Sequence, residues 1–162
     1  MTEKNVDLEK IYDKVLGFIK DLNPPTIEEH RDKYQIISPF KYEFPDKKVI
    51  NFLVDTRIGS KWIETKCLLL FKKSISDMLE IEPILHKKIL EANFNYAEIT
   101  FSIDNEGNIY AEADQPLDTD FANFKSEYGS IVFAIDLFFN KIIPSISNEI
   151  KKVDTYNSPI YT

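Results

Sequence analysis

The chain has 162 residues, 43% of them hydrophobic and 29% charged, with a formal net charge of -7 and a pI near 4.9. That length suits one domain with a sizeable core, and the composition is that of a folded chain rather than a disordered one. The acidic balance argues against a nucleic-acid surface, which needs a basic stripe.

From Asp7 to Leu22 the apolar residues Leu8, Ile11, Tyr12, Val15, Ile19 and Leu22 recur at helical spacing, and Asn23-Pro24-Pro25 stops the helix. A polar connector follows to Arg31. Three strands are then expected. Tyr34 to Phe44 carries Tyr34, Ile36, Phe40, Tyr42 and Phe44 on one face, with Pro39 best placed on an edge or at a bulge. Lys48 to Arg57 carries Ile50, Phe52 and Val54 on one face, and Gly59-Ser60 reads as a hairpin loop. Lys61 to Phe71 carries Ile63, Thr65, Cys67, Leu69 and Phe71 on one side, with Trp62, Leu68 and Leu70 opposite, beside Glu64 and Lys66.

A second helix is expected from Asp77 to Asn93, capped by Ser76 or Asp77. The period then switches to two. Ala97, Ile99, Phe101 and Ile103 share one face, and Asp104 to Asn108 forms a turn in which Gly107 takes positive φ. Ile109, Ala111 and Ala113 then alternate with Tyr110, Glu112 and Asp114. Asp118-Thr119-Asp120 introduces a third helix with Phe121, Phe124, Tyr128, Ile131, Ile135, Phe138 and Ile142 on its apolar face, which Pro144 kinks or ends. A further turn reaches toward Lys152. The order α-β-β-β-α-β-β-α, with hairpin links, gives an α+β fold with a mainly antiparallel sheet, a single domain over residues 1–153 and a tail over 154–162.

Leu90, Ala92, Asn93 and Phe94 at the end of the second helix, the hairpin "F.ID.EG.IY..AD.PL" from Phe101 to Leu117, and the aromatic last helix resemble the type III secretion chaperone-like superfamily, and within it the YbjN-type proteins. The likeness is sharpest over Leu85 to Phe138, and its residues read as structural: a helix end, a turn glycine and core apolars. It implies a non-enzymatic, commonly homodimeric protein that binds other polypeptides, as secretion chaperones hold effector segments in extended form.

Chemistry is sparse. His30, His86 and Cys67 are scattered, so no metal site is expected, and a lone cysteine cannot form an intramolecular disulfide. The Asp104 to Asn108 loop lacks calcium-loop spacing. Glu80 and Glu82, Glu112 and Asp114, and Asp118 and Asp120 suit solvated faces and helix starts better than catalytic pairs. The four glycines, Gly17, Gly59, Gly107 and Gly129, form no phosphate-cradling loop. No cofactor is implied. No apolar run such as Cys67 to Phe71 spans a membrane, and the N-terminus is charged where a signal peptide is apolar, so a cytoplasmic location is expected.

Val49, Leu53, Trp62, Leu68 and Leu70 stand opposite the core set of their strands. Either helices cover both faces, or the register is shifted by one, or these five form an exposed patch for a partner subunit or client peptide. Trp62 is the best single anchor. Phe133, Phe138 and Phe139 exceed one helical stripe, which suits a thick aromatic core or a second protomer. The expectation is a homodimeric binding module that docks an extended client. The competing class is a small-molecule binder or enzyme with a cavity between sheet and last helix, marked by convergence of Glu112, Tyr110 or Tyr128.

Overall fold

A computed structural model describes residues 7–72 and 81–146. Helix α1 (Leu8–Asp21) starts where the Asp7 carboxylate accepts from the Lys10 N–H, and it buries Tyr12, Val15, Leu16 and Ile19. It ends ahead of Asn23, whose φ of 54° turns the chain before Pro24. Six strands follow among the described residues: β1 (Glu28–His30), β2 (Gln35–Glu43), β3 (Val49–Ile58), β4 (Trp62–Leu70), β5 (Thr100–Ile103) and β6 (Ile109–Pro116). They form one antiparallel sheet in the order β1-β2-β3-β4-β6-β5. Helix α2 (Ile81–Asn95) links β4 to β5, and α3 (Phe121–Leu137) follows β6.

The α+β class and antiparallel sheet agree with the alternation in the sequence. One strand is additional. Glu28–His30 lies in the segment expected to be a polar connector, and it pairs with Gln35, Ile36 and Ile37 of β2. Its residues have no apolar alternation, so the pairing partner rather than the local pattern makes it a strand. Beyond Ile37 this neighbour ends, and Pro39, which has no N–H to donate, falls on the uncovered stretch of β2.

All three helices contribute to one core over one sheet face. Ile36, Phe52, Val54, Ile63, Cys67, Leu69, Ile109 and Ala111 are buried there with Leu85, Ile89, Phe124, Ile131, Ile135 and Phe138. Buried hydroxyls are paired: Ser38 with Tyr128 at 2.9 Å, and Thr56 with Thr65 at 3.5 Å. Cys67 faces this core, fully buried, and burial pushes its thiol up to about 12. Its thiol is therefore expected to resist iodoacetamide in the native protein at pH 8 and to react once denaturant opens the core, as mass spectrometry would read.

Two boundaries differ from the sequence pattern. The start of α2 and its expected caps lie outside the described residues. Asn95 rather than Asn93 ends that helix, and Ala97 and Glu98 form a turn, so β5 begins only at Thr100. Ile103, expected in the core, is 39% exposed on this edge strand. At the other end, Pro144 is expected to kink or end the helix, and the helix does not end there. A π-helical turn, Phe138–Ile142, widens the helix one step before the proline, and helical structure continues to Ile146. The wider turn relieves the clash between the ring and the preceding turn. By length and composition alone Phe121–Ile146 could cross a membrane, although no sequence run had suggested a span. In this fold its apolar residues, Phe124, Ile131, Ile135, Phe138 and Ile142, pack into the core.

The turn after β5 shows why its motif residues are there. Asp104 accepts from the backbone N–H groups of Glu106 and Asn108, from the Asn108 amide and from the Tyr110 hydroxyl. Despite partial desolvation, these donors hold its carboxyl below the usual range. Gly107 takes φ 83°, and a Cβ there would meet Lys72 Cδ at 2.6 Å. Asn108 in turn accepts from the Lys72 N–H at 3.1 Å, tying the hairpin to the chain leaving β4.

Candidate functional site

Among the described residues no helix packs on the sheet face opposite the core, and the strands keep the register that puts the two apolar sets on opposite faces. Register is as the alternation implies: Ile63, Thr65, Cys67 and Leu69 are buried, while Trp62 is 54% exposed. Val49 and Leu53 are exposed on the same outer face, and Leu68 is half-buried there. Leu70 differs. A register shift between Leu68 and Leu70 in the pairing with β6 turns it partly toward the core cluster.

The five residues do not form one patch. Leu53 and Leu68, one position beyond the paired Val54 and Cys67, help to line a groove of about 620 Å³. Ile37, Ile103 and Tyr110 line it as well, and they were not singled out from the sequence as outward residues of an interface. A second groove of about 510 Å³ adjoins it through Ile37 and Leu53 and runs past Pro39, Val49 and Asn51 toward Pro25. Trp62 lies outside both linings. It is six residues from Leu68 along β4, on the order of 20 Å in an extended strand.

A charged band lies between Leu68 and Trp62, and its Asp55, Arg57, Glu64, Lys66 and Glu112 themselves line the first groove. Across β3, β4 and β6, Arg57 stands opposite Glu64 and Glu64 opposite Asp114, while Asp55 stands opposite Lys66 and Lys66 opposite Glu112. Arg57 binds its strand neighbour Asp55 at 2.8 Å. Lys66 reaches Glu112 at 3.1 Å and Glu64 at 3.7 Å. Burial opposes the Lys66 charge, yet Glu112, Glu64 and Asp114 together hold its pKa above the ordinary value. Asp114 shows the converse: partial burial, then Glu64 and Glu112, push its carboxyl up against the pull of Lys66.

A carboxyl with a folded pKa above its unfolded value destabilises the fold once ionised. The penalty grows as pH rises from about 4 through the folded pKa, and it is fully present at neutrality. Asp114→Asn is therefore expected to unfold at a higher temperature than wild type at pH 7, with the difference vanishing below about pH 4. Thermal melts across that range read both ends.

Of the groups that would mark a cavity between sheet and last helix, two come together, but on the outer face. Tyr110 and Glu112 line the outer groove, whereas Tyr128 is buried on the helix side against Ser38. Among the described residues no three of histidine, cysteine, aspartate and glutamate are grouped to hold a metal ion. His30 instead contacts Glu28 at 2.9 Å, and His86 lies 3.9 Å from Glu82.

A second apolar surface lies on α2. Leu90 is 67% exposed and Phe94 89% exposed, four residues apart on one helical face. The sequence motif places both among structural residues, but only Ala92 and Asn93 point inward from that helix end, Asn93 through two hydrogen bonds to Phe101. The signal was available: α2 carries apolar residues all round, and one face cannot bury them all.

No family model matches the chain, and no curated protein does. Among solved structures, one chain of the HopA1–SchA chaperone–effector complex is similar, with a TM-score of 0.51 at 16% identity over 80% of this chain and 94% of that one. At that identity the likeness is one of fold alone.

Proposed function

We propose that the protein is a non-enzymatic polypeptide-binding module of the secretion-chaperone kind, which holds an extended segment of another protein on the outer face of its sheet. The observation that carries this reading is the pair of adjoining grooves lined by Ile37, Leu53 and Leu68 on a face that no helix among the described residues covers. An extended chain presents side chains at the same two-residue period as the strands beneath it, so alternate apolar residues can enter such a groove. The fold shared with a chain of a chaperone–effector complex supports the same reading. The hairpin motif from Phe101 to Leu117 supports a YbjN-type grouping. The acidic surface and charged N-terminal sequence suit a cytoplasmic protein.

The protein acts as a homodimer in this reading. Leu90 and Phe94 on α2 provide an apolar surface separate from the groove, which leaves the outer sheet face, including Trp62, for the client. A stable interface would bury more than roughly 1,000 Å² in total.

Both parts are tested by substitutions at exposed positions, which leave the core intact. Leu53→Asp is expected to abolish recovery of co-purifying proteins on affinity capture from the native cell, while its light-scattering mass matches wild type. Leu90→Asp with Phe94→Asp is expected to halve that mass. A wild-type monomer at high micromolar concentration would reject the dimer, and full client recovery by Leu53→Asp would reject the groove.

A further inference from the structure

The outer face has more negative charge than its own cations can balance, and the imbalance is local. Arg57 is bound to Asp55 and stands opposite Glu64, while Lys66 is in ion-pair contact with both Glu64 and Glu112, so two cations face four carboxylates here. Glu64 and Asp114 stand directly opposite each other on β4 and β6, where like charges cost stability. One step further along the same face, Trp62 pairs with Pro116 and leaves its ring 54% exposed. An exposed indole beside two opposed carboxylates is complementary to a cation, through the ring face and the two anions together.

We propose that this end of the outer face binds an arginine or lysine side chain of the extended client, seated between Trp62 and the Glu64 and Asp114 carboxylates. The inference rests on the client-binding reading above and adds a sequence requirement to it. Glu64 lies four residues from Leu68 on β4, roughly 13 Å along an extended strand. A client running along β4 with an apolar residue over Leu53 and Leu68 therefore places its basic residue four positions away. The position between them faces Lys66 and takes a polar or acidic side chain. The client is thus a segment of alternating pattern with a basic end, not a uniformly apolar one.

Trp62 is the single tryptophan of the chain, so its fluorescence reports the site directly. The probes are synthetic peptides of about twelve residues, rich in serine and threonine, with two leucines at alternate positions and an arginine four positions from the nearer one. Matched peptides replace the arginine by glutamine or the leucines by serine. The arginine peptide is expected to bind about tenfold more tightly than the glutamine peptide. That preference is expected to fall within about twofold in Glu64→Gln with Asp114→Asn, and in high salt. Equal binding of the arginine and glutamine peptides, with loss in the serine version, would overturn the basic site and leave the groove standing. Undiminished binding of the serine version would overturn the groove instead. No binding by any peptide at millimolar concentration would reject both.

Discussion

Phe138→Ala is expected to remove about 3–5 kcal/mol of folding stability, the range for truncating a fully buried aromatic side chain. Phe138 is completely buried at the start of the π-helical turn. Its ring lies 6.1 Å from Phe101 on β5 and 5.0 Å from Phe139, which in turn meets Phe44 and Phe52 near the β2–β3 hairpin. Through Phe139, Phe138 therefore links β5 on one side of the core to the β2–β3 hairpin on the other. The cavity left by its removal can close only if the widened turn moves, and Pro144 just beyond it restricts that movement. For a chain of this size the loss corresponds to a fall in melting temperature on the order of 10 °C. Phe133→Ala is the control. That ring is 45% exposed and touches Tyr96, so its removal is expected to cost less than about 1 kcal/mol. Chemical denaturation of both variants separates them. Equal midpoints would mean that the helix register places neither ring in the core.

The parts of this fold that the sequence announces are those in which local pattern and tertiary packing agree. In β4 the period separates Ile63, Thr65 and Cys67 from Trp62, and the observed burial settles which set faces the core, since both faces carry apolar residues. The stripe of α1 and the turn built on Asp104 and Gly107 were legible for the same reason. β1 was not, because Glu28, Glu29 and His30 become a strand only through β2. The groove was legible in half. Leu53 and Leu68 stand out as apolar residues on an outward face. Their neighbour Ile37 is a lone apolar residue among the odd positions of β2, whose even positions carry the apolar face, and Ile103 and Tyr110 reach the groove only because the chain crosses over through α2 to set β6 beside β4. That adjacency is a long-range fact with no local signature. The separation of Trp62 from the other apolar residues has the same origin. A one-dimensional pattern shows which face a residue takes, while its distance from other residues on that face depends on strand offsets.

Asn93→Ala is the second substitution with a large expected effect, and it tests why the end of α2 carries an asparagine. Its amide donates to the Phe101 carbonyl at 3.0 Å and accepts from the Phe101 N–H at 2.8 Å. The side chain thereby acts as a strand partner for β5, which lies at the edge of the sheet with β6 on its other side. Alanine would leave one backbone donor and one acceptor without partners in a half-buried position, at about 1–3 kcal/mol for each group that water cannot reach. A total loss of about 2–4 kcal/mol is expected, together with faster hydrogen exchange at the Phe101 amide than elsewhere in the sheet. Asn93→Asp distinguishes the two bonds. A carboxylate still accepts from the Phe101 N–H but turns an oxygen toward the Phe101 carbonyl, so at neutral pH it restores only part of the loss. Once protonated, the same carboxyl can donate to that carbonyl, and its deficit relative to wild type is expected to shrink as pH falls through its pKa. An alanine variant as stable as wild type would mean that Phe101 does not depend on α2 for its outward hydrogen bonds. The edge of β5 would then be open to pairing with another chain.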